Sequence, residues 1–322
     1  MKVTFIMKKT FTVLFAFLVV SAFAQSEADT VKHWKITGLG SLTMNQLSFT
    51  NWSAGGENSV AGTALFKLFA NYTRNNFSIN NSITLKYGLQ KTASESLKKT
   101  DDLIELNSQF NQKFAKNWST SGLINLTTQF DDGFNYPDDS NIVSKFFAPA
   151  YLTIAPGISY KPNDYFSILI TPVTMKGTFV MDQGLADLGA FGVDPAKKDS
   201  LGNKIEDGKN SKIKMGAFVE FYFKKKLKND LAYESKLNLF YNYLQDNNIP
   251  KDIAPIDFHW QNFFLYKISK VFSANLFFHL AYMPGDVFIT RTTVAGLEEV
   301  TVKPNDKLQI KESFGIGLAY SF

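Results

Sequence analysis

The chain has 322 residues, 45% hydrophobic, 20% charged and 15% aromatic, with a formal net charge of +5 and no cysteine. That aromatic content excludes a disordered chain, and the lack of cysteine excludes disulfides, cysteine-ligated zinc, iron–sulfur clusters and thiol chemistry. Basic residues are almost all lysine, with only Arg74 and Arg291 otherwise, and they are spread along the chain rather than massed, which argues against nucleic acid as a partner.

The N-terminus reads as a secretory signal peptide, residues 1–24, cleaved on export. Lys8 and Lys9 supply the basic region, residues 11–20 the apolar run, and Ala22-Phe23-Ala24 the small-residue cleavage site. Loss of Lys2, Lys8 and Lys9 brings the formal charge of residues 25–322 to about +2, so the basic pI carries little meaning for the exported chain. No later apolar run approaches the roughly 20 residues of a membrane helix.

Alternation with period two dominates everything after the leader. It predicts twelve strands, at 34–49, 59–73, 77–90, 103–114, 118–130, 151–160, 165–176, 213–223, 231–243, 256–268, 271–282 and 313–322. The connections alternate as well. Those after even-numbered strands are short, such as Arg74-Asn75-Asn76 and Pro162-Asn163-Asp164, while those after odd-numbered strands are long, including 91–102, 131–150, 177–211, 244–255 and 283–306. Short periplasmic turns alternating with long extracellular loops are the rule of a transmembrane up-and-down β-barrel, and a soluble sandwich has no reason to follow it. The expected fold is therefore all-β: one antiparallel outer-membrane barrel of about twelve strands spanning residues 25–322.

Register follows from cost. In the ninth strand Leu231, Tyr233, Leu237, Leu239 and Tyr241 share one face and Glu234, Lys236 and Asn238 the other. A one-residue slip would turn the charges toward lipid, at roughly 2 to 4 kcal/mol for a lysine near the bilayer midplane. In the last strand Phe314, Ile316, Leu318, Tyr320 and Phe322 line one face and only Gly, Ala and Ser the other, and the aromatic end is similar to the C-terminal targeting signal of bacterial outer-membrane barrels. Aromatics flanking the short turns, Tyr72 with Phe77, Phe114 with Trp118 and Tyr160 with Phe166, are expected to form a periplasmic girdle.

With these strands placed, the chain resembles a family of Bacteroidota outer-membrane barrels of no assigned activity. The residues that carry the resemblance are Asn51-Trp52-Ser53-Ala54-Gly55-Gly56-Glu57-Asn58, Gly133-Phe134-Asn135-Tyr136, Phe147-Ala148-Pro149-Ala150-Tyr151, Leu239-Phe240-Tyr241-Asn242-Tyr243 and the aromatic end. The resemblance implies location and fold, and no activity. Read as chemistry, Gly55-Gly56 with its flanking asparagines is a turn, with Trp52 suited to the membrane interface.

Lumen-facing polar candidates, by parity, are Lys67, Glu105, Lys113, Lys214, Glu220, Glu234, Lys236, His259, Lys267 and His279. Mixed signs fit either a weakly selective aqueous path or an interior closed by salt bridges. Twelve strands enclose less space than an open porin, and inward Phe218, Phe240, Phe263 and Phe277 narrow it further. His259 and His279, on adjacent strands about ten and nine residues from the shared turn, are placed to approach each other, as a metal or proton site or as two hydrogen-bonded lumen polars. His259 has Asp257 and Gln261 beside it but no serine two residues away, so no hydrolase triad is complete and no enzyme is expected. Asp131, Asp132, Asp138 and Asp139 crowd one loop without EF-hand spacing, which favours a solvated acidic loop over calcium. No metal and no cofactor are expected. Pro156 and Pro172, each removing a ladder donor, mark bulges or a weak seam on neighbouring strands.

The expected role is a narrow passive channel for small hydrophilic solutes in the bacterial outer membrane. The alternative is an accessory or structural subunit of a larger membrane complex. Expected partners are outer-membrane lipids, the barrel-assembly machinery during insertion and, in the second case, further proteins.

Overall fold

In the computed structural model, residues 33–47, 58–136, 141–244, 254–269, 271–284, 287–294, 297–304 and 307–322 are described. The leader 1–24, the stretch 51–57 and the acidic residues Asp138 and Asp139 lie outside them.

Twelve long strands pair antiparallel into one closed barrel. They are β1 Trp34–Leu47, β2 Ser59–Arg74, β3 Phe77–Thr92, β4 Lys98–Lys113, β5 Trp118–Thr128, β6 Ala150–Asn163, β7 Phe166–Phe179, β8 Ser211–Lys228, β9 Leu231–Asn242, β10 Ile256–Lys267, β11 Phe272–Tyr282 and β12 Gln309–Ser321. Each pairs with its chain neighbours, and β12 returns to β1 through Leu39↔Ser321 to Thr43↔Gly317. At that closing join Gly38 and Phe322 exchange backbone hydrogen bonds of 2.8 and 3.1 Å. Gly38 lies under the Phe322 ring, where any β-carbon would collide with it.

The short connections gather at one end, the turn end, and the long ones at the other, the loop end. Between β2 and β3 only Asn75-Asn76 intervenes, and Asn75 takes φ 52°, a left-handed conformation that asparagine tolerates and tight hairpins require. Two expectations need correction at the loop end. The segment 91–102 is mostly strand, because β3 and β4 extend across it and leave only 93–97 between them. β12 likewise starts at Gln309, four residues before the alternation becomes regular. Charged residues such as Lys99, Asp101 and Lys311 find ion-pair partners there, Asp101 with Lys86 and Lys311 of other strands and Lys99 with Asp102 of its own.

Pro156 and Pro172 coincide with a register shift: Ile154 pairs with Met175, but Ile158 pairs with Ile170. A second shift on the other edge of β7 turns both Thr171 and Thr174 inward, fully buried and hydrogen-bonded to each other. Tyr243 donates its hydroxyl to the Pro172 carbonyl at 3.0 Å, satisfying an acceptor beside the bulge.

The loop end builds a small core of its own. Ala148 packs with Val180, Leu185, Ala186, Ala190 and Val193 from the 180–210 connection. A short helix, α1 Gln183–Asp187, is capped by the Asp182 side chain, which accepts from the Leu185 N–H at 3.0 Å and from the Lys145 ammonium at 2.6 Å. Lys145 holds the Asp182 carboxyl below the usual carboxylate range, helped by the Leu185 N–H. Lys204, with Gln183 and the Gly208 N–H, holds Asp187 down to about 2.

Candidate functional site: the barrel lumen

Alternation sends every second side chain inward. The outward set is apolar and exposed, as in Phe314 at 59%, Ile316 at 48% and Leu318 at 50%. Aromatic contacts run round the turn end of this outer face, linking Trp34 to Tyr72, Tyr72 to Phe77, Trp118 to Tyr160, and Tyr165 through Phe223 and Tyr233 to Phe264. Outward polar groups pair among themselves: Tyr233 donates to Asn262 at 2.7 Å, Trp260 to Ser235 at 3.0 Å and Ser108 to Asn81 at 2.7 Å. Such pairing is what a surface without water demands. Tyr320 and Phe322 stack at 6.2 Å beside the closing join.

The inward set encloses a cavity of about 1250 Å³ that runs from the turn end to mid-barrel. Its floor is formed by turn residues such as Asn75, Asn117 and Asn163, and its walls by amides and hydroxyls, including Asn80, Asn107, Gln109 and Gln261. Lys67, Glu105, Lys113, Glu220, Glu234 and Lys236 all line it. Lys236 pairs with Glu220 at 3.4 Å, and Lys224 with Glu234 at 3.1 Å. Lys267 lies exposed near the turn end of β10 and is not part of the lining.

Side chains cross the lumen at several levels. Lys224 on β8 lies 4.9 Å from the centroid of Phe69 on β2, six strands away round the barrel. Lys67 on β2 lies over Phe263 of β10 at 5.4 Å, and Lys86 on β3 over Phe277 of β11 at 5.3 Å. The Lys67–Phe263 and Lys86–Phe277 crossings form the roof toward mid-barrel, while Lys224 and Phe69 cross nearer the turn end.

Above the roof, Asp101 on β4 receives Lys86 at 3.0 Å and Lys311 of β12 at 2.5 Å. Asp257 receives Lys176 at 3.3 Å and Lys214 at 3.8 Å. His259 Nδ1 and His279 Nε2 stand 3.3 Å apart with their rings stacked, as diagonal neighbours on β10 and β11. Among the described residues no three histidine or carboxylate side chains form a metal-binding group. Asp131 accepts the Tyr87 hydroxyl at 3.1 Å, so one carboxylate of the acidic loop is engaged in protein contacts. Against the β5 to β9 wall, Leu123, Ala155, Leu169, Phe218 and Phe240 form an apolar island facing the lumen, with Phe240 only 1% exposed.

Lys86, Asp101, Lys176 and Lys311 were not among the sequence-derived candidates. Parity could have found Lys86, which lies on the inward face of β3. Asp101 and Lys311 were hidden because their strands were drawn too short.

Residues 44–134 match a family described as "Protein of unknown function (DUF3078)". No curated protein sequence matches the chain. Among solved structures the chain is similar to the NanC porin, at 9% identity over 89% of this chain and 99% of that one, with a TM-score of 0.37. It is also similar to an outer membrane channel from Pseudomonas putida F1, at 9% identity over 92% and 99%, TM-score 0.37. A third is the outer membrane channel DcaP of Acinetobacter baumannii, at 9% identity over 92% and 100%, TM-score 0.32. The barrel assignment itself rests on the strand pairing of this chain.

Proposed function

We propose that the protein is a bacterial outer-membrane barrel acting as a narrow passive conduit for small hydrophilic solutes, with a water-filled vestibule on the periplasmic side and a side-chain constriction at mid-barrel. The observation that carries this reading is the polar cavity of about 1250 Å³ inside a barrel whose outer face is apolar. The short turns that line one end of the cavity support a periplasmic orientation for that end. Insertion would follow export on the 1–24 leader, with the outward row Phe314, Ile316, Leu318, Tyr320 and Phe322 as the segment read by the assembly machinery.

The roof sets the expected behaviour. Lys67 over Phe263 and Lys86 over Phe277 leave little free cross-section, so conductance is small. Single-channel recording of the purified, folded barrel should give discrete small steps, and Phe263→Ala with Phe277→Ala should enlarge them. Silence from both native and variant barrels, once folding is verified by heat-dependent gel mobility, overturns the conduit.

A second reading has its own support in the cross-lumen contacts, which also suit a sealed barrel serving as a subunit of a larger complex. Co-purification of a fixed partner in mild detergent, together with electrical silence, would favour it.

A further inference from the structure

We infer that the lumen is built for anions, and that the solute class it passes is small molecules bearing a carboxylate or phosphate group; this rests on the conduit reading and names its substrate. The formal charge of residues 25–322 is close to balanced, yet the charge inside the barrel is not. Among the described residues seven lysines but only four carboxylates line the cavity, and Asp164 lies exposed at the turn rim together with its ion-pair partner Lys161.

The three remaining acids are already engaged. Glu220 is held by Lys236, Glu234 by Lys224, and Glu105 accepts from the Asn125 amide at 3.1 Å. Lys67 and Lys113 have no carboxylate within ion-pair distance among the described residues, and Lys67 rests on the Phe263 ring instead. Directly above the roof two lysines, Lys86 and Lys311, share the single carboxylate of Asp101. The constriction is therefore net positive where the path is narrowest.

A narrow aqueous space with low-dielectric walls focuses such a field, enriching anions and repelling cations. The same wall supplies neutral donors. Carboxamides of Asn80, Asn107, Gln109 and Asn111 on β3 and β4 face the cavity opposite Lys236 and offer N–H groups to the remaining oxygens of a carboxylate or phosphate. Among the described residues no arginine is part of the lining, so the anion meets point charges rather than bidentate forks, which suits passage more than tight capture.

Reversal potential under a potassium chloride gradient tests this. The native barrel should reverse at the sign set by chloride, Lys67→Gln with Lys86→Gln should move that potential toward zero, and inorganic phosphate should reduce the chloride current of the native barrel more than that of the variant. A cation-signed or zero reversal potential in the native barrel, or one the variant leaves unchanged, overturns the anion assignment while leaving the conduit standing. Lys113→Gln, near the turn end, serves the same purpose if the double variant fails to fold. If the native barrel carries no current, the conduit fails, and calorimetric titration of the detergent-folded protein with inorganic phosphate decides the anion site. Saturable binding abolished by the lysine variant upholds it, and absence of binding overturns it.

Discussion

The two faces of each strand obey opposite rules. Outward, Ile83, Leu106, Ile124, Ile170 and Ile316 stand exposed with apolar neighbours. Inward, the residues next to them in sequence, such as Thr84, Glu105 and Asn125, face charge and amide groups, with Thr84 and Glu105 lining the cavity. A soluble protein of this composition would bury the first set and expose the second. The inversion teaches that exposure, read alone, identifies neither surface; what distinguishes them is which one satisfies its polar groups internally. Outside, Tyr233 with Asn262 and Trp260 with Ser235 are closed pairs, while inside Lys67 and Lys113 line the cavity with no carboxylate partner among the described residues.

The contrast can be broken at the apolar island inside the barrel. Phe240, enclosed by Phe218, Leu169 and Leu123 and carrying Lys176 at 4.3 Å over its ring, is an apolar residue on the polar face. Phe240→Ala should cost about 3 to 5 kcal/mol, read from urea-dependent loss of heat-modifiable mobility, because the surrounding cluster cannot collapse into the space. Adjacent residues on β3 give the sharper test. Ile83→Lys should cost about 2 to 4 kcal/mol by the same assay, whereas Thr84→Lys should leave the midpoint nearly unchanged. Equal effects at the two positions would mean that the outer face does not meet lipid.

Two smaller effects follow. Glu312, outward between Ile310 and Phe314 and exposed, breaks the apolar rule on its own face. Glu312→Leu should therefore stabilise the inserted barrel, by on the order of 1 kcal/mol. Acidification should loosen the loop end before the barrel. Asp182 and Asp187 have carboxyl pKa values below the unfolded value of about 3.9, so their contribution is complete above that pH and is lost as the pH falls. For Asp187 the loss runs down through about 2. Hydrogen exchange of the 180–210 amides, followed from neutral pH downward, should accelerate only in that acid range while strand amides stay protected.

Most of the barrel was legible because its strands obey one local rule over ten or more residues, and the short turns at Asn75-Asn76 or Asn229-Asp230 carry ordinary turn chemistry. What stayed hidden depends on contacts that no local period encodes. Lys98 to Asp102 is charge-dense and resembles a loop, yet it is strand, with Lys86 and Lys311 reaching Asp101. The pairing of Lys224 with Phe69 joins opposite walls, so it requires the ring itself. Val180, Leu185, Ala186 and Val193 form a core without periodicity, in a segment whose length alone suggested an irregular loop. The histidine pair lies between these cases, since counting residues from a shared turn brought His259 and His279 to one level and the 3.3 Å contact followed.

The closing join between β1 and β12 has a kinetic consequence. Every other join in the ring links strands that follow one another in the chain, so hairpins can form in succession with little entropy lost to loop closure. The join of β1 to β12 spans almost the whole barrel sequence and pairs Gly38 to Thr43 of β1, while the full length of β1 pairs with β2. Ring closure is thus the most non-local event in the molecule, and it sets the pace at which a curved open sheet becomes a sealed wall.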